Sequence, residues 1–179
     1  QHMRYLAHAG KASCYEVAGR SEEVELADVN RSILSLGFSP EEQLGIFRTV
    51  AAVQHLGNLR IEATEDGEGA TVVADDSSTP LGDRLVRACS MLGVEASFLS
   101  CALTQSTIRA GSGKRLSVRK KKLKLPEAID VRNALAKELY NALFLWTVQH
   151  INKQLLTGPR TGKEIGVLDI FGFEIFPIN

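Results

Sequence analysis

The stretch IGVLDIFGFEIF, residues 165–176, joins a short apolar run to an aspartate, a glycine and a glutamate. An apolar run of this length predicts a buried strand that lies parallel to its neighbours. Ligands of open α/β sheets bind outside the carboxyl ends of strands, so Asp169 is a candidate for holding a hydrated cation beside a phosphate. Gly172 lets the backbone approach that ligand closely, and Glu174 adds a second carboxylate. The bare pattern is also typical of a buried strand whose Asp caps a turn.

Residues 169–174 suit phosphoryl transfer, in which protein groups mainly position the reactants and stabilise charge. A phosphate-binding loop of the form GxxxxGK[ST] should accompany them, and the 179 residues contain none. The glycine-rich segment at residues 109–115 fails because Ile108 stands where the first glycine is required, and Arg115 replaces the Ser or Thr. The chain therefore holds half of a phosphate site at most, which suggests a piece of a larger protein.

Length and composition indicate one globular domain with a real core. The apolar fraction is 44%, and no apolar run approaches the ~20 residues that span a bilayer. The N-terminus lacks a signal-peptide pattern. Cys14, Cys89 and Cys101 are odd in number and have no metal-ligand spacing, which predicts reduced thiols in a cytosolic protein.

The net charge of zero conceals an asymmetry along the chain. Residues 96–126 contain no acidic residue and eight of the 21 basic ones, which leaves thirteen basic against 21 acidic residues elsewhere. The eight are Arg109, Lys114, Arg115, Arg119, Lys120, Lys121, Lys122 and Lys124. A basic segment on an acidic body predicts a docking surface for an anionic partner. The alternatives are a solvated charge run, nuclear import and nucleic-acid binding, although no aromatic residue lies between Phe98 and Tyr140 to stack on a base.

Ser117 lies inside this basic segment. Lys114 and Arg115 precede it by three and two residues, which suits a kinase that favours basic substrates. A phosphate there would add nearly two negative charges to a strongly positive segment. Short serine motifs of this kind also occur by chance in solvated Lys/Arg runs.

Two helix starts and one hairpin organise the first half of the chain. Ser21 and the sequence SPEE at residues 39–42 each predict a helix start, and each helix has an apolar face. Apolar runs at residues 59–64 and 70–74 flank the segment EDGEG, which predicts a β-hairpin.

The second half is predicted to be helical around one irregular segment. Helices are expected at residues 80–92 and 95–103. Residues 104–126 have no apolar period and are predicted to be an exposed excursion. The longest helix is predicted at 127–156, where apolar residues cover most of the circumference and indicate a central position.

Four separated motifs, in the right order, resemble the motor head of a myosin. They are LGFSPEEQ at residues 36–43, HLGN at 55–58, NALAK at 133–137 and DIFGFE at 169–174. The last resembles the family's switch II, and NALAK resembles the start of its long central helix. The family usually has Asp where this chain has Asn133. The resemblance covers essentially all 179 residues.

The resemblance implies an α/β fold, namely a mostly helical fragment of a P-loop motor domain with a β-hairpin and one strand of the central sheet. Residues 1–164 would belong to the upper actin-side subdomain, with 104–126 as the basic actin-contacting loop and 127–156 as the long central helix. Residues 165–179 would form a central-sheet strand and switch II. The family's P-loop and switch I would precede residue 1, and its relay helix, lower actin-binding subdomain, converter and lever would follow Asn179.

The same resemblance implies ATP and Mg²⁺ as ligands, both bound only in the complete motor domain. Asp169 would hold the magnesium through water, and the Gly172 N–H, beside Phe173, would face the γ-phosphate. Glu174 would pair with a switch I arginine and help to position the attacking water. Seven basic residues would contact actin: Arg109, Lys114, Arg115, Arg119, Lys120, Lys121 and Lys122. Ser117 lies sixteen residues before Asn133, where the family has an acidic or phosphorylatable residue.

The function implied is that of an actin-based motor which couples ATP hydrolysis to movement, with no ATPase activity in this fragment alone. Expected partners are the actin filament, the rest of the motor head and a basophilic kinase, while light chains would bind only through other parts. Neither nucleic-acid binding nor a transmembrane segment is expected, and the protein would lie in the cytoplasm on the cytoskeleton. The alternative is a non-enzymatic binding module whose basic loop docks to an anionic partner under phosphorylation control.

Overall fold

The computed structural model describes residues 4–6, 19, 21–74, 83–110, 117–156, 162 and 166. Helices dominate this part of the chain, and two small antiparallel strand pairs interrupt them. In order, the elements are α1 (Glu22–Ser35), α2 (Pro40–Gly57), β1 (Arg60–Ala63), β2 (Ala70–Val73), α3 (Arg84–Leu92), α4 (Ala96–Thr104), β3 (Gln105–Ala110), β4 (Ser117–Lys122) and α5 (Leu125–Leu155). This mixture agrees with the predicted α/β class, although the predicted central-sheet strand at 165–179 lies outside the described residues.

Helix α2 begins with the signal that the sequence predicted. The Ser39 backbone N–H donates to Glu42 Oε2 at 2.8 Å, and the Glu42 N–H donates to Ser39 Oγ at 3.2 Å. Pro40 occupies the first helical position, where its missing N–H costs nothing. This reciprocal capping box satisfies two backbone donors at the helix end, so the start of α2 is set by local chemistry.

The predicted hairpin between α2 and α3 is confirmed. Strands β1 and β2 pair antiparallel, with Arg60 opposite Val73 and Ala63 opposite Ala70. In the turn, Gly67 has a positive φ of 69°, and the Asp66 carboxylate accepts from the Glu68 N–H at 3.0 Å. Glycine and an aspartate that bonds its own turn are the residue types that such a tight connection requires.

The main core lies where α2, α3, α4 and the first half of α5 meet. Its buried members are Val53, Leu56, Leu59, Ala88, Cys89, Leu99, Leu103 and Ala136. A smaller cluster of Ala70, Leu123 and Ala128 lies between β2 and the start of α5. Helix α5 begins at Leu125, slightly before the predicted residue 127, because Glu127 reaches back and accepts from the Lys124 N–H at 2.8 Å.

The predicted central position of α5 holds only for its first half, and the apolar face predicted for α1 is not buried in the described structure. No residue of α1 is buried, and the buried residues of α5 are confined to Ala128, Arg132 and Ala136. Tyr140, Phe144 and other large apolar side chains in the second half of α5 are exposed. The physical reason is that the main core packs only against the first half of this helix, while the second half contacts the rest of the described structure mainly through Trp146 and His150.

The prediction that residues 104–126 form an exposed excursion is only partly correct. Strands β3 and β4 pair antiparallel, from Gln105 opposite Lys122 to Ala110 opposite Ser117. These strands were not predicted because they carry no alternation of apolar and polar residues, and their pairing through backbone hydrogen bonds leaves no sequence signal.

No single helix in the described ranges is both long enough and apolar enough to cross a membrane. The pair α3 and α4 meets those two criteria only when its members, bent by 103°, are taken together.

Candidate functional site

The basic segment forms an arm, which we call the basic hairpin and define as β3 and β4. Its second strand carries Arg119, Lys120, Lys121 and Lys122 in succession, and all four side chains are exposed. Because successive side chains of a strand point to opposite faces, Arg119 and Lys121 lie on one face and Lys120 and Lys122 on the other. Both faces of the arm therefore present positive charge.

The base of the basic hairpin is held firmly in the fold. Leu123, which follows β4 directly, is only 7% exposed and packs with Ala70 and Ala128. Its backbone N–H donates to the carbonyl of Thr104, the last residue of α4, at 2.8 Å. The arm is thereby attached to the end of α4, to the first hairpin and to the start of α5.

Two of the four cations lie beside carboxylates. Lys121 Nζ is 3.4 Å from Glu127 Oε1, and Lys122 Nζ is 3.9 Å from Asp66 Oδ2. Lys120 Nζ lies 3.9 Å from the sulfur of Cys101, and Arg119 has no ion pair within the described part of the chain. Both ion pairs are exposed to solvent and contribute little to stability, so the arm keeps an excess of positive charge.

Local hydrogen bonds are the main cause of the lowered pKa of the two carboxylates beside the arm. The Lys124 N–H lowers the pKa of Glu127, and the charge of Lys121 has a smaller effect in the same direction. The Thr64 hydroxyl and the Glu68 N–H lower the pKa of Asp66, with a smaller effect from Lys122. The two lysines are therefore only minor causes of the lowered pKa values.

The described structure contains only part of the predicted site. The backbone of Arg109 pairs with Val118, and Ser117 pairs with Ala110 at the far end of the arm, while their side chains lie outside the described residues. Lys114 and Arg115 also lie outside them, as do Asp169, Gly172, Phe173 and Glu174. No group of three His, Cys, Asp or Glu side chains that could hold a metal occurs in the described ranges.

Sequence reasoning missed a polar network around a buried arginine. Arg132 is 2% exposed, and its Nη1 donates to the Leu59 carbonyl at 3.3 Å. Its Nε and Nη2 donate to Asn133 Oδ1 at 3.2 and 2.9 Å, and the Tyr5 hydroxyl donates to the same oxygen at 2.8 Å. Burial lowers the pKa of the guanidinium, and the charge of Arg4 adds to this effect. The spacing of Ala128, Arg132 and Ala136 at every fourth position was a signal that Arg132 faces the core.

A second missed cluster joins the corner between α1 and α2 to the second half of α5. The rings of Phe38 and His150 are stacked with centroids 4.0 Å apart, and Trp146 is tilted against Phe38 at 5.7 Å. His150 Nδ1 lies 3.6 Å from Glu42 Oε1. Trp146 is 40% exposed although its ring packs against Phe38, and no sequence pattern signalled this cluster.

Comparisons with known proteins agree with the resemblance in the motifs. The family described as "Myosin head (motor domain)" matches residues 1–179. Rat unconventional myosin-Vb is 33% identical over 98% of this chain, which corresponds to 9% of that protein. Myosin-1 of Sclerotinia sclerotiorum is 36% identical over 100% of the chain and 14% of its own length. The myosin IE heavy chain of Dictyostelium discoideum is 35% identical over 94% of this chain, which corresponds to 16% of that protein.

The chain thus spans less than a fifth of the length of these relatives, and the similarity extends over nearly all of its own residues. The family match includes both the basic hairpin and the long helix α5. The chain belongs to the myosin motor-head family.

Proposed function

We propose that this chain is the actin-side part of a myosin motor head and that its basic hairpin docks on the acidic surface of the actin filament. The observation that carries the proposal is the row of exposed cations from Arg119 to Lys122 on an arm anchored by Leu123. A cluster of like charges raises the encounter rate with an oppositely charged partner, and this effect weakens as salt increases. The protein would accordingly act at the cytoskeleton.

The nucleotide side of the proposed function rests on the switch II-like residues 169–174. In the complete motor, Asp169 would hold Mg²⁺ through water, and the N–H of Gly172, with Phe173 beside it, would face the γ-phosphate of ATP. Glu174 would position the attacking water together with an arginine. Bound ATP and Mg²⁺ would supply the hydrolysis that drives movement, and residues 1–164 would transmit its effect to actin.

We also propose that phosphorylation of Ser117 regulates the docking. Ser117 is the first residue of β4 and is followed by the four exposed cations. Arg119, the first of these cations, is two residues from Ser117 in the sequence. Without a phosphate the arm is entirely cationic, which favours non-specific attraction to an acidic filament. A phosphate on Ser117 would add nearly two negative charges to the arm and give it a mixed charge pattern.

The test of this regulation compares Ser117→Glu with Ser117→Ala in the full-length motor. The expected result is a several-fold higher actin-activated ATPase rate for Ser117→Glu than for Ser117→Ala. Ser106→Glu is the matched control, since it adds the same charge to the same hairpin opposite Lys121. Equal rates for the two Ser117 variants would contradict the proposal, and an equal gain from Ser106→Glu would show that position 117 has no special role.

A non-enzymatic docking module is the second candidate, because the basic hairpin alone would suffice for it. In that case binding to an anionic partner would be sensitive to salt but unaffected by ATP. A motor should instead release actin when ATP is added, so co-sedimentation with and without ATP separates the two functions.

A further inference from the structure

Helix α4 presents a large aromatic side chain to solvent. Phe98 is 67% exposed, although its neighbours Leu99 and Leu103 are buried in the main core. Exposing a phenylalanine to this extent leaves most of its apolar surface in contact with water. Single exposed apolar residues are common on protein surfaces, so the surroundings of Phe98 decide whether it has a role.

Those surroundings connect Phe98 to the basic hairpin. Helix α4 has Cys101 and Ala102 three and four residues after Phe98, and this spacing places both on the same face as Phe98. The same face reaches β4, because Lys120 Nζ lies 3.9 Å from Cys101 Sγ. Helix α4 also continues into β3 without a connecting loop, since Thr104 is followed by Gln105. The outer face of α4 and the Lys120 face of the arm therefore form one surface.

We infer that Phe98 is the apolar anchor of the docking surface, entering an apolar recess on the acidic face of the actin filament while Lys120 and its neighbours form the charged rim. This inference rests on the proposed docking function and adds the residue that supplies affinity independent of salt. Interfaces of this type combine a few buried aromatic anchors with a polar rim, and the anchors carry most of the affinity. An acidic partner fits this docking surface, because residues 96–126 contain eight basic residues and no acidic residue.

The attraction by the lysines and the burial of Phe98 depend differently on salt, so an experiment can separate their contributions to binding. Attraction by exposed lysines is screened when the Debye length shortens, whereas burial of an aromatic ring does not depend on charge. Burying one phenylalanine should be worth about 10- to 100-fold in the dissociation constant. Truncation of Phe98 should therefore weaken binding by a similar factor at low and high salt.

The experiment measures co-sedimentation of the full-length, nucleotide-free motor with actin filaments at about 20 and about 150 mM salt. Phe98→Ala should raise the dissociation constant at least ~10-fold at both salts, and Phe98→Leu should restore part of the loss. Lys120→Gln should weaken binding mainly at low salt. Val24 is an apolar residue on the acidic helix α1 and is 60% exposed, so Val24→Ala should bind like the wild type. Thermal unfolding of each variant confirms that it is folded.

Two outcomes would overturn the inference and leave the proposed function standing. In the first, the wild-type motor binds actin and the Phe98→Ala variant binds it with the same affinity. The other is a loss in Phe98→Ala that disappears at the higher salt, which would assign the effect to charge. If the wild-type motor fails to bind actin at either salt, the proposed docking function itself is wrong.

Discussion

At the scale of single residues, the most consequential feature is the buried guanidinium of Arg132. It connects α5 to the Leu59 carbonyl, but its remaining acceptor in the described structure is the neutral amide of Asn133. The Tyr5 hydroxyl completes this network, and the Tyr5 ring lies over Gly57, where a Cβ atom would come within 2.5 Å of it. A charge that is buried without an opposite charge keeps much of its desolvation cost.

The first prediction concerns Asn133, which stands where the family usually has Asp. Asn133→Asp should stabilise the fold by about 1 kcal/mol at neutral pH, because hydrogen bonds to a charged acceptor are stronger than those to an amide. The Tyr5 hydroxyl can still donate to the carboxylate. Asn133→Leu, which removes the acceptor, should destabilise by about 1–3 kcal/mol. Urea unfolding of the variants measures both changes.

The pH dependence provides an internal control for Asn133→Asp. A carboxylate that gains a cationic partner has a lowered pKa in the folded state, so its stabilisation is present above the unfolded pKa. The advantage should disappear as the pH falls through the folded-state pKa, below about pH 4. An advantage that persists in acid would mean that the carboxylate and Arg132 do not interact.

At the scale of secondary-structure elements, the second half of α5 is held mainly by one cluster. His150 stacks on Phe38 and faces Glu42, and the Gln154 side chain lies 3.1 Å from the position of a Cβ at Gly37. Glu42 acts twice, because one carboxylate oxygen caps α2 and the other faces His150. The start of α2 and the end of α5 therefore depend on the same side chain.

The second element-scale feature is the ionisation of Glu42. The Ser39 backbone N–H is the main cause that lowers the pKa of Glu42, and the charges of His150 and Lys153 lower it further. A lowered pKa stabilises the fold above the unfolded value, and this contribution is lost as the pH falls through the folded value. Glu42→Gln keeps a capping-box side chain and removes only the charge.

We therefore predict that Glu42→Gln has a lower melting temperature than the wild type at pH 7 and that the difference vanishes below about pH 4. Glu41→Gln is the matched control, since it removes the same charge from the same first turn of α2. The measurement is thermal unfolding between pH 7 and 3. Equal melting temperatures for the two variants throughout this range would show that the contacts of Glu42 have no energetic effect.

At the scale of the whole molecule, α5 extends from the basic hairpin for about 45 Å, given a rise of 1.5 Å per residue. Its first half is buried in the core, and its second half exposes apolar side chains such as Phe144 and Leu155. Exposed apolar surface of this extent is typical of a face that another protein segment covers. In the proposed motor, this helix connects the actin-side arm to the switch II-like residues.

The prediction at this scale is that the purified 179-residue chain does not hydrolyse ATP. Residues 169–174 would supply only one wall of the nucleotide site, and no GxxxxGK[ST] loop occurs in the sequence to bind the phosphates. A phosphate-release assay with Mg²⁺ and ATP tests this directly, with the full-length motor as the positive control. Magnesium-dependent hydrolysis by the 179-residue chain, lost on Glu174→Gln substitution, would contradict the assignment.

The sequence by itself determined the features that depend on neighbouring residues. The start of α2 and the turn between β1 and β2 require groups only a few residues apart, so local chemistry predicted them, and the start of α5 was predicted to within two residues. The family motifs were recognised for the same reason. The charge of the basic segment was also evident, although its strands were not.

Only the tertiary structure decided which distant residues meet. It paired β3 with β4, brought Lys120 to Cys101, stacked His150 on Phe38 and joined Tyr5 to Asn133 across 128 residues. No periodicity or motif encodes such contacts, because they depend on how whole helices pack against one another. The same packing left Phe98 on the surface beside the arm, and that position, rather than its residue type, makes it a candidate anchor.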